Sequence, residues 1–208
     1  MIGFVTGLAA EARIAARFGG AVAIGGGTPA GAAEAASRLV RDGATALVSF
    51  GLAGGLDPAL RPGMVVVPDM VVAGGRRFVA DASLAARFGG LTGHCLLAGD
   101  AIAADAAAKR ALMVATGAQA IDLESGSVAR VAESHGLPFA VVRAICDPAE
   151  RDLPPAALIA LDQSGAIGLL AVLRSVARRP GQIPGLLALG RDAARARRGL
   201  VGVVCGLG

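Results

Sequence analysis

The sequence predicts one α/β domain, a mixed and mainly parallel β-sheet flanked by helices. Three observations predict it. Short β-branched or apolar runs alternate with alanine-rich stretches of helical character, which is the pattern of a parallel sheet covered by helices. The 208 residues suit one domain with a sizeable core and are too few for two. No internal repeat or linker divides the chain, so residues 1–208 are taken as a single domain with the helical segment 154–200 packed on it.

The elements follow in order. Ile2 to Thr6 reads as a strand and Ala9 to Arg17 as the helix after it. Ala21 to Ile24 is a second strand, closed by Gly25-Gly26-Gly27. Pro29 to Asp42 is a helix that Thr28 caps. Ala46 to Phe50 is a buried strand ending in a glycine-rich turn, Gly51-Leu52-Ala53-Gly54-Gly55. Met64 to Val67 and Met70 to Ala73 are strands on either side of Pro68-Asp69, since proline cannot donate to a central ladder. Residues 94 to 98 are extended, Asp105 to Thr116 is helical, and Ala120 to Ile121 is a short strand. Ser125 to His135 is a helix that Ser125 could cap, and Phe139 to Ile145 a buried strand. The tail from Pro154 is helical, with one helix over residues 160 to 177, a break at Pro180 to Pro184, and another over 185 to 198.

Composition narrows the function classes. Hydrophobic residues make up 54% and aromatics only 3%, with no Trp or Tyr, so small side chains must fill the core. The net charge of +4 comes with 19 scattered arginines. With so few aromatics to stack on bases, the basic balance does not read as a nucleic-acid surface. The arginines from Arg191 to Arg198 form a solvated helix face or a surface for anionic lipid. Cys95, Cys146 and Cys205 have no metal-like spacing and an odd count, as in a reduced, cytoplasmic protein, and no metal site is expected. The opening residues lack the pattern of a signal peptide, and no apolar run is long enough to span a bilayer.

Four segments carry chemistry. In Thr6-Gly7-Leu8-Ala9-Ala10-Glu11 an acid follows a glycine turn. Glu11 either complements the helix dipole or orients and deprotonates a water. In Ser49-Phe50-Gly51-Leu52-Ala53-Gly54-Gly55 the glycines let backbone N–H groups face a ligand, but the spacing is neither a dinucleotide fingerprint nor a P-loop. In Ile121-Asp122-Leu123-Glu124-Ser125 two acids precede a helix. They serve its N-terminus, or a carboxylate among them grips the two vicinal hydroxyls of a ribose. In Val142-Arg143-Ala144-Ile145-Cys146-Asp147-Pro148 a buried strand delivers an acid. Asp147 either opens a turn or is kept protonated by desolvation for acid catalysis.

Together, and with Pro62-Gly63-Met64-Val65-Val66 and Ala98-Gly99-Asp100-Ala101-Ile102, these segments resemble the superfamily of purine nucleoside phosphorylases and methylthioadenosine/S-adenosylhomocysteine nucleosidases. The resemblance implies the three-layer sandwich of those enzymes and cleavage of a purine N-ribosyl bond. It implies that Asp147 protonates N7 of the base and that Glu11 activates water. Glu124 would bind the ribose hydroxyls, Leu123 would lie against the sugar, and backbone near Ile102 and Ala103 would read the purine edge. Asp122, Ala53, Gly54 and Cys146 complete the expected substrate-binding set, while Gly7, Ser49, Gly51 and Arg13 are expected at a phosphate or water site. Ser49 stands where some phosphorylases carry an arginine, which tilts the reading towards hydrolysis and leaves phosphate open as a co-substrate; no other cofactor is implied. Arg13, Arg76, Arg77, Arg143 and Arg151 are the candidates to balance a phosphate.

The stretch Arg178-Arg179-Pro180-Gly181-Gln182-Ile183-Pro184-Gly185-Leu186-Leu187-Ala188-Leu189, followed by an Ala/Arg-rich helix, is similar to the hopanoid-associated branch. That branch is thought to act on adenosylhopane, a nucleoside with a polycyclic lipid on its 5′ carbon. Ala156 to Ala160, Ile167 to Leu173 and Ile183 to Leu189 would then line a groove for the lipid, or be ordinary core. The resemblance also implies a homodimer, with contact to the inner membrane surface an open expectation. A methylthioadenosine or S-adenosylhomocysteine nucleosidase and a non-catalytic purine-binding protein are the alternative functions.

Overall fold

The computed structural model describes residues 1–161, 175–176 and 178–206. Its sheet runs β2 (Ala21–Ile24), β1 (Ile2–Thr6), β3 (Ala46–Gly55), β8 (Ala120–Asp122), β7 (Cys95–Ala98), β5 (Met70–Ala73) and β6 (Arg76–Val79). A further strand, β9 (Phe139–Asp147), lies along the other edge of β3 and carries the short β4 (Val65–Val66). β1, β2, β3 and β9 are mutually parallel, as are β5, β7 and β8; the two groups meet where β3 and β8 pair antiparallel. The expected α/β architecture is therefore present.

Strand alternation sends neighbouring side chains to opposite faces. Val5, Leu47 and Val141 pack on one side with Ala32, Ala35, Ala36 and Leu39 of α2 (Pro29–Arg41) and Val128, Ala129 and Ala132 of α5 (Ser125–Ser134). Phe4, Val48 and Val142 pack on the other. There they meet Ile14 and Ala15 of α1 (Ala9–Ala15), Leu84 and Ala85 of α3 (Ala82–Ala86), and Ala196 and Leu200 of the C-terminal helix, here α7 (Ile183–Cys205). The large core pieces are concentrated: Phe4, Phe18, Phe50 and Phe88 touch one another with ring centroids 5.3 to 6.2 Å apart. α4 (Ala106–Thr116) brings Leu112 and Met113 over Leu97 and Ile121. A short α6 (Pro155–Leu161) follows β9.

Several local readings need correction. The glycine-rich stretch after Phe50 is not a turn: β3 continues through it to Gly55 because β9 supplies partners as far as Gly54 opposite Asp147. β6 and α3 were not expected; Gly74 and Gly75, both at positive φ, turn β5 back into β6 as a two-residue hairpin. Thr28 does cap α2, accepting from the Gly31 N–H at 3.1 Å. Ser125 is instead the first residue of α5 and does not cap it. α7 starts at Ile183 with Pro184 in its first turn, where a missing N–H costs nothing, and runs on to Cys205. The helix expected over 160 to 177 falls largely outside the described residues, as does Ile167 to Leu173.

Candidate active site

Among the described residues, Glu11, Asp122, Glu124, Arg143 and Asp147 are buried charges carried on or just after β1, β8 and β9, towards the strand ends where open α/β sheets bind ligands. Arg143, on β9, is the hub, with a side chain only 1% exposed. Its Nη2 stands 2.5 Å from Asp122 Oδ2 and 3.3 Å from Glu124 Oε2, and it donates to Ser49 Oγ at 2.7 Å. Burial works against its charge, but Asp122, Glu124 and Glu11 more than offset that and hold its pKa above the usual arginine value. Arg143 is thus committed to carboxylates.

Glu11 is buried at the start of α1. Its Oε2 accepts the N–H groups of Gly7 and Leu8 at 3.0 and 2.9 Å, and its Oε1 accepts that of Leu52 at 3.2 Å. It serves the start of α1, as the first reading of this residue expects, and it lies close to Arg143. Burial raises its pKa, with Arg143 and the three backbone donors pulling the other way. Glu124, also buried, accepts the Gly27 N–H at 3.2 Å on Oε1. Burial again raises its pKa; Arg143 opposes this, and Asp122 and Glu11 add to it. Gly27 holds a positive φ of 74°, a conformation that costs other residues, so the turn after β2 is shaped to aim an N–H at this carboxylate.

Asp122 was expected to touch substrate. Its oxygens are used inside the protein instead, by Arg143, by the Ser125 N–H at 3.1 Å and by the Ser125 hydroxyl at 2.6 Å. It anchors Arg143 and the N-terminus of α5. Gly7 lies between the two glutamates: a Cβ there would stand 3.2 Å from Glu124 Oε2 and 3.4 Å from Glu11 Oε2. At Gly51 a Cβ would meet Arg143 Nη1 at 2.5 Å and Glu11 Oε2 at 2.9 Å. The approach is tight at Gly7, and at Gly51 it leaves a side chain no space unless Arg143 or Glu11 shifts.

Asp147 ends β9, with Gly54 as its cross-strand partner. Lys109 Nζ lies 2.6 Å from Asp147 Oδ2, whereas the buried Oδ1 has no partner among the described residues. Burial raises the Asp147 pKa, Lys109 and Arg151 lower it, and Asp192 adds to the rise. The neighbouring Cys146 thiol is pushed up to about 12 by burial and by Asp147 and Glu11, so it is no nucleophile at neutral pH. Ala53 is buried, Leu123 and Ile102 are half-buried, and Ala103 packs on Leu97 and Ile121.

Arg13 is not brought to this region. It sits two residues beyond Glu11 on α1, about 200° round the helix, and is exposed. Arg76 pairs with Glu133, and Arg151 pairs with Asp192, which also holds Arg195. The sequence reading missed Lys109 and the Gly27 N–H. Lys109 did carry a signal, as the single lysine beside 19 arginines. Among the described residues, no group of three or more His, Cys, Asp or Glu is placed to hold a metal ion. Among the same residues, no helix is long and apolar enough to cross a membrane.

Comparison with known proteins agrees with this architecture. Residues 91–174 match the model of the phosphorylase superfamily. Futalosine hydrolase of Helicobacter pylori has a similar structure, with a TM-score of 0.69 at 18% identity, covering 99% of this chain and 97% of that one. The 5′-methylthioadenosine/S-adenosylhomocysteine nucleosidase of H. pylori, solved with butyl-thio-DADMe-Immucillin-A, aligns with a TM-score of 0.69 at 17% identity over 99% and 98% of the two chains. S-adenosylhomocysteine nucleosidase from Streptococcus pyogenes, bound to 5-methylthiotubericidin, gives 0.67 at 18% identity over 100% and 97%. No curated protein sequence matches the chain. Residues 91–174 thus resemble the phosphorylase superfamily in sequence, and the chain as a whole shares the fold of these solved nucleosidases and hydrolase.

Proposed function

We propose that this protein cleaves the N-ribosyl bond of a purine nucleoside, with Asp147 as the acid and Glu11 as the base for an attacking water. The observation that carries this reading is Asp147 itself. It is a buried carboxyl whose Oδ1 has no partner among the described residues, held at the end of β9, the strand that also carries Arg143 with its three acids. Similar structures bear the names of nucleosidases. One, an Asp-to-Asn variant of the H. pylori enzyme, holds 5′-methylthioadenosine in its active site.

In this reading the Asp147 proton goes to N7 of the base, and the C1′–N9 bonding pair leaves with the purine. The ribose gains oxocarbenium character, and water adds at C1′ while passing a proton to Glu11. Oε1 of Glu11 accepts one backbone donor and retains room for a water O–H. Glu124 takes the ribose hydroxyls, Leu123 covers the sugar, and the backbone of Ile102 and Ala103 meets the base. No metal or organic cofactor is needed.

Charge favours hydrolysis over phosphorolysis. A phosphate dianion would enter a cluster in which Glu11, Asp122 and Glu124 already outnumber Arg143, and Arg13 is exposed elsewhere. For the substrate we propose adenosylhopane. Two exposed apolar side chains at the start of α7, Ile183 (42% exposed) and Leu187 (55%), favour a lipid-bearing 5′ group; Ala156 and Ala157 are buried core and do not line a groove. Methylthioadenosine or S-adenosylhomocysteine is the alternative.

The test is adenine release from adenosylhopane in detergent, with and without phosphate, with the sugar product followed by mass spectrometry and methylthioadenosine alongside. Ribosylhopane formed without phosphate is expected. Phosphoribosylhopane that requires phosphate would replace hydrolysis by phosphorolysis. Cleavage of methylthioadenosine alone would move the substrate to the alternative, and no adenine from either would leave a non-catalytic purine-binding protein.

A further inference from the structure

Lys109 is buried, with a side chain 1% exposed, although it sits on a helix whose neighbouring Arg110 is exposed. An ammonium has three hydrogens to donate. Here it meets three acceptors: Asp147 Oδ2 at 2.6 Å, the Pro148 carbonyl at 3.0 Å and the Arg151 carbonyl at 2.8 Å. A planar guanidinium does not match three acceptors spread around one nitrogen. That accounts for the one lysine in a chain that otherwise uses arginine as its basic residue.

We propose that Lys109 is the positioning residue for the acid: its ammonium fixes Oδ2 of Asp147 and the backbone that follows, leaving Oδ1 as the one atom through which the proton passes. The inference rests on the reading of Asp147 as the proton donor. When Oδ1 gives its proton to N7, the carboxylate that remains is already paired through Oδ2, so its charge forms against a fixed cation. Lys109 stays protonated throughout and exchanges nothing. The other charged or titratable groups facing Asp147 are Arg151 on the following loop, Asp192 on α7 and Cys146 beside it. Only Lys109 contacts the carboxylate among the ion pairs of the described residues.

The test compares wild type, Lys109→Met and Lys109→Arg by the pH dependence of kcat on a nucleoside. A 13C-NMR titration of the Asp147 carboxyl is run on the same proteins without substrate. An opposite charge at this distance lowers a carboxyl pKa by about one to three units. Lys109→Met should therefore move both the Asp147 titration and the alkaline limb of kcat upward by at least about one pH unit, while the plateau falls. Lys109→Arg should lower the plateau with the limb nearly in place. Equal falls in rate with unmoved limbs and an unmoved titration would overturn the proposal and leave Lys109 a structural residue. If Lys109→Met does not fold, a Lys109→Arg variant with wild-type kcat would overturn it equally. Wild type inert on every nucleoside would instead remove the functional reading beneath it.

Discussion

Arg143 and Asp122 form an ion pair of 2.5 Å in which the side chains are 1% and 4% exposed. Removing one partner of such a pair leaves a buried charge without compensation, at a cost of about 3–5 kcal/mol. Arg143→Met strands Glu11 and Glu124 as well as Asp122, so urea unfolding should show a loss at least at the upper end of that range. Arg143→Lys keeps the charge and should lose less. A methionine variant as stable as wild type would mean that these carboxyls are protonated in the folded protein.

Asp147→Asn should lower turnover by about 10²- to 10⁴-fold, the usual worth of a general acid, while the circular dichroism spectrum is retained. Lys109 keeps its two backbone acceptors in this variant but loses the charge opposite it, so stability should fall by up to about 3–5 kcal/mol and the rate is read at a temperature where the spectrum is that of the folded protein. A variant that retains the wild-type rate would take Asp147 out of the reaction.

Glu11 makes the pH dependence of stability testable. Burial raises its pKa, so the folded chain binds the proton more readily than the unfolded one. Stability contributed by that proton is present below the ordinary carboxylate range and is lost as pH rises through the folded value. Glu11→Gln removes the titration. The melting temperature of wild type minus that of the variant should therefore fall as pH rises from about 4 to 8. A difference that stays constant over that range would show that Glu11 does not titrate on unfolding.

Gly51→Ala tests how tightly the cluster is packed. The added methyl would meet Arg143 and Glu11, both held by several bonds, and strain of about 1–3 kcal/mol is expected. Gly181→Ala, which meets nothing within 4 Å, is the control. Thermal melts of the two proteins check the difference, and equal melting temperatures would show that the Arg143 side chain gives way freely.

The fold was legible where pattern and burial agree. β1, β2, α2 and β9 carry apolar periodicity, and Thr28 announces the start of α2 by its chemistry. The glycine end of β3 was not legible, because glycine reads as a breaker and the pairing with β9 and β8 that overrides it is nonlocal. Arg76 and Arg77 disguised β6, an edge strand exposed at three of its four positions. Acids at strand ends marked Glu11, Glu124 and Asp147 as site candidates. Their partners were hidden for the same nonlocal reason: Lys109 lies 38 positions before Asp147 in the chain, and helical periodicity says nothing of what a buried ammonium meets.

The antiparallel join of β3 to β8 consists of two residue pairs, Gly54 with Ile121 and Gly55 with Ala120. Glu124 enters from the β8 side of that join, and Asp147 from the β9 side. Glu124 and Asp147 thus belong to two oppositely directed blocks that share a narrow backbone seam. Gly54 leaves room for Ile121 at that join, where an added Cβ would stand 3.3 Å from Ile121 Cγ2, so new bulk at Gly54 would press on the seam between the blocks while leaving every chemical group in place.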